Sequence, residues 1–174
     1  MSISLTTYAG STVVPQDDAM IYETTVNQSG IFRGCAITKT DANVITIDSG
    51  WGMICGRHFK VRTEDIVIPL ETEGEIPAQL YIEMDLGNYD APIQFKYEKN
   101  DPLSDMIQQE DINYINGRYQ MQLATFTVST TGIDNLQKTY KPIVPWISFI
   151  GTMAEYEERA NLIPDGTLIF ITDD

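Results

Sequence analysis

Residues 30–61 read GIFRGCAITKTDANVITIDSGWGMICGRHFKV, three short strands separated by tight turns. Ile31 to Ile37 is an apolar run broken by Gly34, and Val44 to Ile47 is β-branched at every position. Met53 to Val61 is expected to return across them. The breaks carry turn chemistry, Thr40-Asp41-Ala42-Asn43 for the first and Asp48-Ser49-Gly50 with Gly52 for the second. Asn, Asp and Gly tolerate positive φ at such places. This β-meander points to a mainly β fold and contains no catalytic signature, so function is expected to lie in shape and attachment.

Upstream, Met1 to Val14 alternates weakly and suits an extended arm or edge strand, closed by Pro15. Gln16-Asp17-Asp18 then offers a cap and an acidic first turn for a short helix carrying Ala19, Met20 and Tyr22. Downstream, Thr63 to Leu70 reads as another short strand, and the acidic Glu71-Thr72-Glu73-Gly74-Glu75 is the best internal boundary. Ala78, Leu80, Ile82, Met84 and Leu86 alternate with Gln79, Tyr81, Glu83 and Asp85, a period of two with one buried face. Gly87 to Pro92 turns that strand into a partner at Ile93, Phe95 and Tyr97, forming a hairpin with opposite charges on its polar face.

Leu103 to Tyr114 is expected to be a loop with one helical turn. In Arg118 to Val128, the longest strand candidate, the apolar phase shifts between Leu123 and Ala124. That shift implies a bulge or burial on both sides. Pro142 and Pro145 fix an extended exit segment. The ending reads as a small βαβ-like unit: a strand from Trp146, a helix capped by Thr152, a turn at Pro164-Asp165-Gly166 and a last strand over Thr167 to Thr172. Three parts are thus expected: an antiparallel β-sandwich-like N-terminal domain (1–70), a second hairpin-rich antiparallel β region (71–140) and a small C-terminal α+β module (141–174).

At 174 residues the chain can bury about 70% of the surface it exposes unfolded. A hydrophobic share of 43% argues for an ordered globular protein. The formal charge of -14, from 25 acidic against 11 basic residues, argues against direct nucleic-acid binding, which needs surplus Lys and Arg. It argues equally against docking on anionic lipid. No leader pattern and no 18-residue apolar run is seen, so a soluble protein made in the cytosol is the expectation. Cys35 and Cys55 sit on neighbouring strands; a disulfide fits that placement but is not implied, and two small buried hydrophobes is the favoured reading.

Three groups of residues carry a family likeness. The first is Asp17, Asp18, Ala19 and Tyr22, then Gly30-Ile31-Phe32-Arg33-Gly34-Cys35, Ser49-Gly50-Trp51-Gly52 and Gly56-Arg57. The second is Tyr81 to Leu86, Gln109 to Asn113, Tyr119 to Val128 and Gly132 to Leu136. The third is Glu155-Tyr156 with Asp165 to Asp174. In this order they resemble baseplate and tail-fibre-associated proteins of tailed phages and phage-derived particles.

The resemblance implies a non-enzymatic structural virion protein of the tail baseplate, assembled in the host cytoplasm and linked to a receptor-binding fibre. Its partners would be other baseplate proteins and that fibre, with self-association, a trimer being favoured, and with no cofactor, nucleic acid or membrane insertion. Such proteins continue into a long fibre or host-binding head. This sequence ends at Asp174, which favours an adaptor. Interface residues are expected at Asp17, Asp18, Tyr22 and Trp51 toward the baseplate, and at Trp146, Tyr156 and Phe170 toward a partner. The alternative is a module that binds host-wall carbohydrate through exposed Tyr or Trp.

Other chemistry is weaker. Cys55 and His58 form a CxxH fragment, but tetrahedral zinc needs two further N or S ligands and only Cys35 remains; a partly buried strand histidine is expected instead. Asp85, Asn88 and Asp90 could offer oxygens to Ca²⁺, yet a turn demands the same residues. The acidic pairs Asp17-Asp18, Glu110-Asp111 and Asp173-Asp174 are sequence neighbours, whereas a glycosidase opposes its carboxylates across a cleft. Trp51, beside two glycines, is read first as core packing and second as an exposed anchor.

Overall fold

The computed structural model describes residues 14–26, 28–109, 111–140, 142–143, 148–159 and 168–172. The arm before Val14, Glu110, Pro145, Trp146, the Pro164 to Gly166 turn and the Asp173-Asp174 end lie outside them. The chain is mainly β with few helices.

The meander is built from three long strands, each broken at the same level. Strands β1 (Gly30–Gly34) and β2 (Ile37–Asp41) are the two halves of the first, β3 (Val44–Ile47) and β4 (Gly50–Ile54) of the second, and β5 (Arg57–Val61) and β6 (Glu64–Val67) of the third. One set of halves pairs in the order β1-β4-β5 and the other in the order β2-β3-β6, all antiparallel.

The expected second turn is therefore displaced. Asp48-Ser49-Gly50 is a bend inside a strand. The chain reverses instead at Cys55-Gly56, in the middle of what the sequence suggests is one strand from Met53 to Val61. Both turn residues have positive φ, 45° and 73°, the type I′ geometry that matches strand twist. Hydrogen bonds carry the ladder across the bend: Cys35 N–H to Ser49 O (3.3 Å) and Asp48 N–H to Ala36 O (2.9 Å). Gly50 is needed there, because a Cβ would overlap Cys35 Sγ.

The second sheet has the order β10-β9-β7-β8, with β7 (Glu75–Asp85), β8 (Ile93–Lys99), β9 (Arg118–Ser129) and β10 (Ile133–Lys138). The β7–β8 hairpin is as expected. The expected bulge is also present: Leu80 faces Ala124 but Tyr81 faces Gln122, leaving Leu123 extra. That extra residue returns Tyr119 and Met121 to the same face as Ala124, Phe126 and Val128, all opposite Ile76 to Met84. The meander and this sheet share one apolar core, including Ile45, Ile47, Ile54, Leu80, Ile82 and Leu123. Each such side chain contributes about 2 kcal/mol by leaving water.

Strand β7 differs from expectation. Both of its faces are buried, so Gln79, Tyr81 and Glu83 are covered rather than solvated. The cover comes from the segment after β8: Gln79 Nε2 donates to Ser104 O (2.9 Å), and Ile107 N–H donates to Gln120 Oε1 (3.0 Å).

Helix α1 (Pro15–Val26) starts at Pro15, suited to a first turn because its missing N–H has no helical partner there, so Gln16, Asp17 and Asp18 stand inside the first turn rather than capping it as expected. Helix α2 (Ile112–Ile115) is the single turn expected. The C-terminal unit is βαβ: β11 (Ser148–Gly151) and β12 (Leu168–Ile171) pair in parallel around α3 (Met153–Arg159). Thr152 caps α3 as expected, Glu155 N–H donating to its Oγ1 (3.3 Å) while Thr152 N–H donates to Glu155 Oε2 (3.0 Å).

Candidate functional site: an aromatic and cationic patch on the first sheet

The tight Cys55-Gly56 turn creates a flat seat for α1. Gly56 has no side chain, so the Ala19 carbonyl lies directly against it; a Cβ there would overlap that carbonyl. Ala19 is the buried residue of the helix. Asn113 from α2 locks the arrangement from below: its Nδ2 donates to Cys55 O (2.8 Å) and its Oδ1 accepts from Arg57 Nε (2.6 Å). A third contact, from Asn113 Nδ2 to Glu23 Oε2 (3.4 Å), reaches α1 itself. A cleft of about 540 Å³ remains between α1 and α2, bordered by Met20, Glu23, Ser29 and Tyr114.

Docking α1 in this way builds an aromatic surface. Tyr22 lies over His58 with ring centroids 4.5 Å apart, and Phe32 from β1 meets the same imidazole edge-on at 5.7 Å. Trp51 on β4 pairs across to Lys60, whose ammonium lies 5.0 Å from the indole centroid. On its other side Trp51 is opposite Arg33. Trp51 is 50% exposed and Tyr22 42%, so the core reading of Trp51 is corrected. The physical reason is register: on β4, Gly52 faces Phe59 and the core, which turns Trp51 outward. His58 is likewise exposed rather than partly buried, held between two rings. Asp17 and Asp18 stand on the first turn of α1, and the patch thus has an acidic border and a cationic, aromatic centre.

No family model matches this chain. Nor does any curated protein. Among solved structures it is similar to the gene 22 product of the Bacillus subtilis SPP1 phage, with a TM-score of 0.41 and 17% identity over 67% of this chain and 90% of that one. A likeness at that level says nothing about function.

Tyr156 is half-buried on α3. Phe170 belongs to the backbone of β12, and Trp146 lies outside the described residues. Cys35 and Cys55 are buried thiols, not joined in a disulfide; burial raises the pKa of Cys35. Among the described residues, no three of His, Cys, Asp or Glu stand close enough to share a metal. Asp85 and Asn88 are occupied by their own turn, accepting from Gly87 N–H (2.9 Å) and Ala91 N–H (3.3 Å).

Sequence reasoning missed the buried carboxylate of Glu83. It accepts from Lys96 Nζ (2.5 Å) and Gln120 Nε2 (2.7 Å), with Arg118 Nη2 3.4 Å away. Burial alone would raise its pKa, but these hydrogen bonds and charges more than reverse that and leave it lowered. A carboxylate held ionised in this way is an electrostatic anchor for β7, β8 and β9 rather than a proton donor.

Proposed function

We propose that this chain is a non-enzymatic structural component of a phage tail or phage-tail-like particle, assembling into the baseplate and linking it to a receptor-binding fibre. The observation that supports this reading best is the patch itself. Tyr22 and Trp51 come from sequence positions 29 residues apart, yet they share one exposed surface with Phe32, His58 and Lys60. Exposed aromatics beside cations are the composition of interface anchors. The ordered sequence likenesses supply the rest of the reading, including other baseplate proteins and a fibre as partners and self-association as a trimer.

The test is immunogold electron microscopy with antibody against this chain on intact and partly disassembled particles from a producing culture. Label at the tail tip is the expected outcome; absence from both preparations overturns the reading. Trp51→Ala sharpens it. The indole is half-exposed, so folding stability should fall by only about 1–2 kcal/mol, while incorporation into particles should fall sharply.

The same exposed rings favour one second reading, a module that binds wall carbohydrate. It predicts that the isolated chain binds purified cell-wall glycan without any partner, and that Trp51→Ala abolishes this.

A further inference from the structure

Two strand edges of the meander, those of β1 and β2, receive backbone bonds from other segments. Ile143 N–H donates to Ile31 O (2.8 Å), closing the β1 edge. Ile133 N–H donates to Ala42 O (2.8 Å) at the end of β2, and Lys39 Nζ reaches Ile133 O (2.5 Å). The edge of β5 and the edge of β8 are different. They end their sheets, and a groove of about 380 Å³ lies between them. That volume is at the lower end of the ~300–1,000 Å³ of ligand sites.

Ladder geometry identifies which backbone groups face the groove. Asp85 N–H donates to Pro92 O and Asn100 N–H to Pro77 O, so the bonded pairs of β7 and β8 fall on every second residue between them. Gln94, Lys96 and Glu98 therefore bond β7, while Ile93, Phe95 and Tyr97 turn their N–H and C=O away from it. On β5 the two-residue turn makes Ile54 and Arg57 a bonded pair. Phe59 and Val61 consequently bond β4, and His58 and Lys60 turn their backbone outward. Among the described residues, no backbone hydrogen bond reaches these outward groups. The core-facing side chains of Ile93 and Tyr97 stay 37% exposed, as an unfilled seam requires.

We infer that this seam accepts an extended strand of another protein, alternately apolar and acidic, by strand addition to β8 and β5. The groove is floored by Phe59, Val61, Ile82 and Phe95 and rimmed by Lys60 and Arg62. Alternate side chains of an added strand point to opposite sides, one set onto the apolar floor and one toward the rim. Glu64 also lines the groove, leaving two cations against one carboxylate in a chain of net charge -14. Arg62 pairs with no carboxylate among the described residues. The seam shares Lys60 with the Tyr22 and Trp51 patch, but its apolar floor and its β8 edge lie outside that patch, so the inference does not rest on the proposed function.

The experiment selects a yeast-displayed random dodecapeptide library on the intact chain. Enriched peptides should alternate apolar and acidic residues. The best should bind Arg62→Glu at least tenfold more weakly, bind Arg62→Gln with an intermediate loss, and bind Tyr22→Ala as tightly as the parent. It should also slow amide exchange at least tenfold at Ile93, Phe95 and Tyr97 while leaving Gln94 and Lys96 unchanged. No enrichment, equal binding to Arg62→Glu in its folded form, loss on Tyr22→Ala, or protection without that alternation each overturns the inference.

Discussion

Between Gly30 and Val67 three strands bend at one level within a few residues, whereas β7 and β9 in the second sheet run for 11 and 12 residues. The bent strip is specified by backbone: positive φ at Gly34, Cys35, Cys55 and Gly56, and places where a Cβ has no room. The long sheet is specified by side chains, with an apolar face on the core and a polar face tied together through Glu83, Gln79, Gln120 and Lys96. Two parts of one core can thus reach a unique structure by different means. They should fail differently when altered.

The largest effect is expected at the tightest backbone position. Gly56→Ala adds left-handed strain and pushes α1 off its seat, so it should cost about 3 kcal/mol in urea unfolding. It should also separate the Tyr22 and His58 rings, read as a shift of the His58 resonances. If stability is unchanged, backbone conformation does not specify the strip.

Glu83→Ala tests the other region. Removing a buried carboxylate from its cations costs ~3–5 kcal/mol when the pair is fully buried. Here the Lys96 and Arg118 side chains are 40% and 43% exposed and can be hydrated, so a loss of about 2 kcal/mol is expected. The ring contacts of the patch should be untouched, which separates this failure from that of Gly56→Ala.

Acid sharpens the comparison further. The folded Glu83 pKa is lowered relative to the unfolded chain, so its stabilisation is complete above the unfolded value, about 4.3, and is lost as pH falls through the folded one. Glu98, lowered by its hydrogen bond from Ser104, acts in the same direction. Stability measured from pH 6 downward should therefore fall below about 4.3, and Glu83→Gln should flatten that fall without removing it. An identical acid profile in Glu83→Gln would refute the assignment.

The smallest effect concerns the join between regions. Tyr140 Oη donates to Cys35 O (2.9 Å), tying the exit segment to the bend. Tyr140→Phe should cost about 1 kcal/mol, detected as a lower urea midpoint with an unchanged slope.

Much of this was legible from residue types. Strict alternation in Ala78 to Leu86 and in Ile93 to Tyr97 identified the hairpin, because side chains of a strand alternate between faces whatever surrounds them. The phase shift at Leu123 and Ala124 signalled a bulge or two-sided burial for the same reason, and the register shows the bulge. Thr152 identified a helix start, which Glu155 completes by accepting from the Thr152 N–H. The Cys55-Gly56 turn was hidden, since Cys is not a usual I′ residue and only Gly56 signalled it. Of the patch, Tyr22 and Trp51 were expected at an interface, whereas His58 was weighed only as a metal ligand and Phe32 only within the likeness, and nothing local says that α1 covers β5.

The sequence by itself therefore determined a mainly β chain, its hairpin, the phase break in β9 and the Thr152 cap, all features set by contacts within a few residues or by strand periodicity. Tertiary structure decided the rest. Trp51 is outside because Gly52 must face Phe59, and Glu83 is inside because residues 104–107 return across a face that alternation alone assigns to water. The seam between β5 and β8 depends on two sheet edges separated by more than 30 residues. Such placements arise from packing between distant segments, and no local propensity encodes which distant segment arrives.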